Sequence, residues 1–370
     1  MPLLSSFTQI GVREELADYV AVVDAKSTPF VSMAPKGKDI GNMTFSWQVD
    51  NYSAPIQSNI FDGVDVATAD HTNASASRAK MTNTAQVFRR NHRTGFIAET
   101  SNVAGVSSET AKGVAKRLVE LKRDMEATFL SAQTSTPSSL YSSPPLSTAT
   151  ASTTASLGYT LQTAAGAGAG LAPTGYGVAA AALLGGNGNG ATVTAASITE
   201  STIQDVLAGI YSNTGTIRDY DMICGTTLRR AMTNLADAKQ VSTSSAGVTG
   251  FAATSIRTFN KEIGDATYKS SVDVFEGDFG RLLIQPDVFI GGFATQATGG
   301  GTPAGNGALH TAIPFKGYII PSDMVEIRYA KLPEVKDLPD AGGGPIKLIQ
   351  AIAGLIVKNP AGFGMFNCIS

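Results

Sequence analysis

The stretch SSETAKGVAKRLVELKRDMEATFLSA, residues 107 to 132, constrains the fold more than any other part of this chain. Ala111, Val114, Leu118, Leu121, Met125 and Phe129 recur at three- and four-residue steps and form one apolar stripe. Lys112, Lys116, Glu120, Arg123 and Asp124 take the opposite face, with Lys116 and Glu120 spaced to pair. Ser107 or Ser108 can cap the start, where Glu109 complements the positive end of the helix dipole. The pattern predicts one straight helix of about 26 residues, about 39 Å at 1.5 Å per residue. Few small domains need so long a rod.

Upstream, GVREELADYVAVVD (residues 11 to 24) places Val12, Leu16, Tyr19, Val20 and Val23 at helical spacing, and STPF ends that short helix because Pro29 disfavours helical geometry at Thr28. From Asn42 the period changes to two. Met43, Phe45, Trp47 and Val49 alternate with Thr44, Ser46, Gln48 and Asp50, which predicts a strand with one covered face. A weaker alternation surrounds Ala85, Val87, Arg89 and Asn91, and a polar span with Asp62, Asp65 and Asp70 separates the two. Residues 42 to 96 thus read as a long two-stranded excursion, which is marginal alone in water and needs a partner to lie on. Its second limb, SRAKMTNTAQVFRRNHRTG, carries five Lys or Arg residues, one His and no acid.

Downstream, Thr134 to Thr194 is built almost wholly of Ser, Thr, Ala, Gly and Pro and predicts loop rather than firm secondary structure. In SITESTIQDVLAGIYSN, Ser197 is placed to cap and Ile203, Val206, Leu207 and Ile210 form a stripe. A strand, YDMICG, leads into a helix, TTLRRAMTNLADAK, and this alternation indicates a compact α/β subdomain. Two strands joined by a Gly and Asp turn follow in KSSVDVFEGDFGRLLIQPDVFI, then a Gly-rich loop from Gly291 to Gly307. The last part, DMVEIRYAKLPEVKDL and IKLIQAIAGLIVKNPAGFGMFNCI, reads as strands linked at Gly342 to Gly344. The class is α+β, in two or three domains or subdomains.

Composition removes several functions. Lys plus Arg number 28 against 30 Asp plus Glu, a formal charge of −2, so no global basic field exists to hold a polyanion. Only 16% of residues are charged, a surface suited to broad protein contacts. Cys224 and Cys368 fit no metal or redox spacing, and MPLLSSFTQIGVREELADYV lacks the basic start and apolar run of a signal peptide. No stretch nears the ~20 apolar residues of a membrane span, so synthesis in a reducing cytoplasm is expected. AAGAGAGLAPTGYG contains no G-x-G-x-x-G, no P-loop motif occurs, and G-x-S-x-G is absent. His71, His92 and His310 are scattered among polar residues as surface or loop histidines, and Asp273, Glu276 and Asp278 lack EF-hand spacing and read as a solvated turn. Cys224 reads as a buried strand residue. No cofactor, metal or catalytic apparatus is expected.

The order of STPFVSM, FSWQVD, a long excursion, AKRLVELKRDMEATFL, SITESTIQDVLAGIYSNTG and VDVFEGDFGRLLI, then late strands, resembles the major capsid proteins of tailed bacteriophages. More narrowly it resembles the SU10 branch, in which TPF, a Trp with an acid shortly after it, ELKRDME and DFG recur in this order. The low-complexity tract departs most from the family. The resemblance implies the HK97-like fold: residues 1–41 as N-arm, 42–96 as extended loop, 97–133 as peripheral domain with its spine helix, 134–196 as insert, 197–317 as axial domain and 318–370 as peripheral strands. It implies self-assembly as pentamers and hexamers into an icosahedral shell around double-stranded DNA, built in the host cytoplasm and residing in the virion. Implied partners are further copies, scaffolding, portal and decoration proteins, and packaged DNA in weak non-specific contact. On this reading Arg78, Lys80, Arg89, Arg90 and Arg93 of the extended loop would face acids of an adjacent subunit, with Asp323, Glu326, Glu334, Asp337 and Asp340 as candidates. The bland alternative is a solvated ribbon edge kept from aggregating by its charge. Lys80 and Asn359 have no spacing that supports a covalent link. A tail or fibre protein should show repeats, which are not visible, and an enzyme would be a compact monomer with a saturable pocket.

Overall fold

The computed structural model describes residues 27–50, 52, 62–63, 65, 78–101, 106–137, 151–161, 182–184, 198–235, 260–262, 265–267, 273–290, 316–340 and 342–367. The expected helix at 11 to 24, the loop at Gly291 to Gly307, His71, His310 and Cys368 lie outside these residues. Two compact units emerge. One holds Arg89–Leu121 and Pro333–Gln350; the other holds Ser27–Phe88, Lys122–Leu332 and Ala351–Ser370.

The larger unit opens on α1 (Pro29–Met33), with Pro29 in the first turn and Thr28 before it at φ −128 and ψ 78, outside the helical region. Pro29 therefore starts a helix: proline's fixed φ and missing N–H suit the first turn, while the residue before it is kept out of helical geometry. Strand β1 (Thr44–Val49) pairs antiparallel with β2 (Ala79–Thr84), Trp47 opposite Met81. At Ala85, whose N–H bonds Met43 O at 2.7 Å, the chain leaves this ribbon. Strand β3 (Gln86–Arg93) joins another sheet, so residues 42 to 96 do not form one continuous ribbon.

The helix α2 (Phe96–Thr100) precedes α3 (Glu109–Phe129), the long helix of the sequence pattern. It has 21 residues rather than about 26. Ser108 Oγ accepts from Ala111 N at 3.2 Å and so caps it. Glu120 pairs with Arg117, not Lys116.

Part of the tract expected to be loop is ordered core. Thr136 bridges Thr153, α4 (Leu157–Thr160) is capped by Ser156, and β4 (Leu183–Leu184) runs parallel to a late strand. Ala155, Leu157, Leu161 and Leu183 are fully buried. Composition hid these few apolar residues among the small ones.

Helix α5 (Glu200–Thr214) is capped by Thr199, which exchanges bonds with Thr202, rather than by Ser197; Gly215, at φ 64, ends it. Its stripe, Ile203, Val206, Leu207 and Ile210, is fully buried. Strand β5 (Arg218–Cys224), helix α6 (Thr226–Leu235), a small β6 (Asn260–Glu262) and β7 (Asp265–Thr267) pair, and the β8 (Val274–Gly277) and β9 (Gly280–Pro286) hairpin follow. Next come β10 (Lys316–Ile320), β11 (Val325–Leu338), β12 (Ile346–Val357) and β13 (Gly364–Asn367). A mixed sheet runs β4-β13-β10-β5-β9-β8. Its strand β10 is buried at all five positions, as a central strand covered on both faces must be. The parallel β5 and β9 flank the α6 crossover, which is the α/β subdomain read from the sequence.

A three-stranded sheet runs β11-β12-β3. In the smaller unit, the β11–β12 turn is closed by Asp340, whose Oδ1 accepts from the N–H groups of Gly342, Gly343 and Gly344 at 3.0 to 3.1 Å. Gly342 and Gly344 sit at φ 87 and 104, where a side chain would be strained. Among the described residues no helix is long and apolar enough to cross a membrane.

Candidate functional site

The β1–β2 ribbon does have something to lie on. Its inward face presents Phe45, Trp47 and Val49 from β1 and Met81 and Asn83 from β2. Phe45 and Trp47 stack with centroids 6.2 Å apart. Trp47 Nε1 donates to Val357 O at 3.0 Å, and Phe45 lies over Gly354, where a Cβ would come within 2.5 Å of the ring. A glycine in the middle of β12 thus leaves the space that lets the ribbon seat.

Asn83, 1% exposed, fixes the seat. Its Oδ1 accepts from Thr84 N and Ala155 N, both at 2.8 Å. Its Nδ2 donates to Leu355 O at 2.7 Å and to Ala155 O at 3.4 Å. Every bonding position of the amide is filled, which joins β2, the tract at 151–161 and β12. Gln86 repeats the device: its Oε1 accepts from Thr154 N at 3.1 Å and from Gln133 Nε2 at 2.6 Å. Sequence reasoning passed over both residues. The available signal was an amide on the covered face of a strand, since such a group must find partners when buried.

The basic limb divides between two sheets. Arg78 and Lys80 are exposed on or beside β2; Arg89 and Arg93 are exposed and Arg90 half-buried on β3. Arg78 pairs with Asp50 at 3.4 Å. Neither Lys80 nor Arg89 has an acidic partner among the described residues. Arg93 packs its guanidinium against Gly343.

Most of the acidic candidates are occupied within their own chain. Asp323 meets Arg218 at 3.1 Å, and Asp337 meets Lys347 at 2.6 Å. Glu326 takes Lys358 at 2.6 Å and Arg328 at 3.3 Å. Burial alone would raise Glu326, but the hydrogen bond and charge of Lys358, then those of Arg328, outweigh it and hold the carboxyl below the usual range. Asp340 is spent on its turn, and Glu334 is half-buried on β11.

The α3 stripe is graded. Leu121, Met125 and Phe129 are buried to 1% or less, Val114 and Leu118 are half-buried, and Ala111 is exposed. The last turns are buried on every side, with Glu126, Ala127 and Thr128 joining the stripe. At the other end, Glu99 Oε2 accepts from Thr110 Oγ1 at 2.7 Å and Thr110 N at 3.3 Å. The Thr110 hydroxyl bond holds Glu99 below the usual carboxylate range. His92, expected on the surface, is half-buried against Gly113 of α3, where any Cβ would enter its ring, and bonds Thr94 Oγ1 at 3.0 Å.

No group of three or more metal-ligating side chains occurs among the described residues. Cys224 is buried and free, and burial pushes its thiol up to about 12, too high for a nucleophile. Asp273, read as part of a solvated turn, is exposed but pairs with Arg229 at 2.5 Å.

A long helix, a three-stranded sheet, a seated two-stranded ribbon and a mixed α/β sheet make up the HK97-like fold of phage capsid proteins. The chain is similar over 99% of its length to a chain of the cyanophage A-1(L) capsid asymmetric unit, over 99% of that chain, with a TM-score of 0.62 at 11% identity. A chain of the cyanophage Pam1 capsid asymmetric unit gives a TM-score of 0.55 at 12% identity, over 99% of this chain and 98% of that one. The capsid of Ralstonia phage GP4 gives 0.51 at 11%, over 100% and 99%. Within that class, residues 4–370 match the SU10 major capsid protein family, and the chain belongs to it. It is also 31% identical over 134 residues to the major capsid protein of Escherichia phage Phieco32, a match spanning 36% of this chain and 37% of that relative.

Proposed function

We propose that this chain forms the shell of a phage head, copies associating as pentamers and hexamers that close into an icosahedral capsid around double-stranded DNA. The observation that carries this reading is the family match across residues 4–370, supported by the fold likeness to capsid subunits over nearly their whole length. The role is mechanical, with no reaction required of any side chain. Assembly in the host cytoplasm, and contact with scaffolding, portal or decoration proteins, belong to the same proposal. The domain assignment goes with it: residues 1–41 as N-arm, 42–96 as extended loop, 197–317 as axial domain and 97–133 with 318–370 as peripheral domain.

Within this reading the exposed cations Lys80, Arg89 and Arg93 are those left to meet acids of a neighbouring copy, because Arg78 is paired at home. Asp323, Glu326 and Asp337 would have to trade an internal partner for an external one, which makes their net contribution small. The charge then sets register and partner choice more than affinity.

Sedimentation and negative-stain microscopy of the purified full chain at low and high salt test the proposal. Rings of five or six and closed shells are expected, with Arg89→Glu shifting assembly toward smaller species. A monomer at every salt concentration would overturn self-assembly as an intrinsic property.

A further inference from the structure

Two buried carboxylates have no part in the seating of the ribbon or in the surface charges. Glu126, in the last turns of α3, is 0% exposed, and Asp287, just past β9, is 2% exposed. Glu126 receives two N–H groups from α1, Phe30 N on Oε1 and Val31 N on Oε2, both at 2.7 Å. Asp287 Oδ1 accepts from Phe289 N at 2.8 Å. Its Oδ2 is buried with no donor among the described residues, although Glu126 lies within hydrogen-bonding reach.

Other charged or titratable groups border the pair. On α3, Arg123 sits over the Phe289 ring at 5.2 Å and Asp124 is a further acid. At the end of β5 the Cys224 thiol is neutral, and on α6 Arg229 donates to Ile284 O and Asp273. The influences on the two carboxyls are burial, each other and backbone N–H groups. Two ionised carboxylates held so close in a dry site repel strongly, and one proton between them removes the repulsion and supplies the donor that Asp287 Oδ2 lacks.

We propose that Glu126 and Asp287 are a proton-binding site, Glu126 carrying the proton and donating it to Asp287 Oδ2, and that this proton latches residues 28–34 to helix α3. No bond other than O–H is made or broken. Burial first, then the Asp287 charge, push Glu126 up to about 9, from 4.5 in water. An acid raised by the fold stabilises it fully below 4.5, and that stabilisation is lost as the pH climbs through about 9. Opening the latch releases one proton over this window, so the opening constant rises up to about tenfold per pH unit and levels off above it. The inference is independent of the assembly reading.

Hydrogen exchange of the peptide containing Phe30 and Val31, measured in the full chain across that window and corrected for chemical exchange, reads the opening constant. The wild type should show a rise of about tenfold per unit. Glu126→Gln, whose amide both accepts an N–H and donates to Asp287 without titrating, should be flat. Asp287→Asn, which removes the charge opposing ionisation, should end the rise at a lower pH. A flat wild type, or a slope retained in Glu126→Gln, overturns the proposal. Should Glu126→Gln fail to fold, a rise in Asp287→Asn that ends at the same pH as in the wild type overturns it equally.

Discussion

Asn83→Ala tests whether the ribbon is held by hydrogen bonding or by apolar contact. The substitution orphans the N–H groups of Thr84 and Ala155 and removes the donor to Leu355 O, all in a site 1% exposed. A buried polar group left without its partner costs about 1–3 kcal/mol, so the two amides alone account for roughly 2–6 kcal/mol. That is a large part of the ~5–15 kcal/mol that holds a domain together. Asn83→Asp keeps the volume and the acceptor but turns a carboxylate oxygen toward the carbonyls of Leu355 and Ala155, and should be no more stable than Asn83→Ala. Trp47, the chain's one tryptophan, sits opposite Met81 on the neighbouring strand, so its fluorescence reports the seat directly during urea unfolding. An Asn83→Ala protein within about 1 kcal/mol of wild type, or an Asn83→Asp protein as stable as wild type, would refute the reasoning.

Gly354→Ala puts a Cβ within 2.5 Å of the Phe45 ring and should cost about 1–3 kcal/mol, with a red-shifted Trp47 emission as the stack breaks. Gly113→Ala gains about 0.8–1.0 kcal/mol of helix propensity. Its Cβ enters the His92 ring, so it should lower the melting temperature, and His92→Ala in the same chain should turn it stabilising. Glu326, held below its ordinary value of 4.5, contributes stability that is full above that pH and is lost as the pH falls through the lowered value. Lys358→Met should flatten this acid limb of a stability profile measured by denaturant midpoint.

What could be read from the sequence followed from periodicity. The long helix, the alternating β1 face and the α5 stripe each place apolar residues at a repeat that only one backbone conformation can bury, and Leu121, Met125, Trp47 and Ile203 sit where that logic puts them. What could not be read depends on partners distant in sequence. Asn83 and Gln86 resemble ordinary polar strand residues until Ala155, Thr154 and Leu355 are brought beside them. The tract at 151–161 is core because an amide cross-brace and three apolar side chains pin it, a property that a composition dominated by Ser, Thr and Ala conceals. Gly113 and Gly354 look like helix and strand defects, and each proves to be the space an aromatic ring occupies.

The charge of Ser77 to Gly95 follows the same division. A limb with five cations and no acid looks like one basic surface when written in a line. The break at Ala85 sends Arg78 and Lys80 to the ribbon and Arg89, Arg90 and Arg93 to the β11-β12-β3 sheet, so no single continuous ribbon edge carries all five. Strand β3 is the outer strand of the β11-β12-β3 sheet, paired with β12 on one side only, and it carries Val87, Arg89 and Arg93 exposed along it in steps of two. An exposed Val87 flanked by exposed Arg89 on an outer strand has the make-up both of a surface that meets another copy and of an edge protected by charge. Val87→Asp with Arg89 left in place separates the two ideas: it should reduce assembly if β3 meets another copy, and should leave assembly unchanged if the cations serve only solubility.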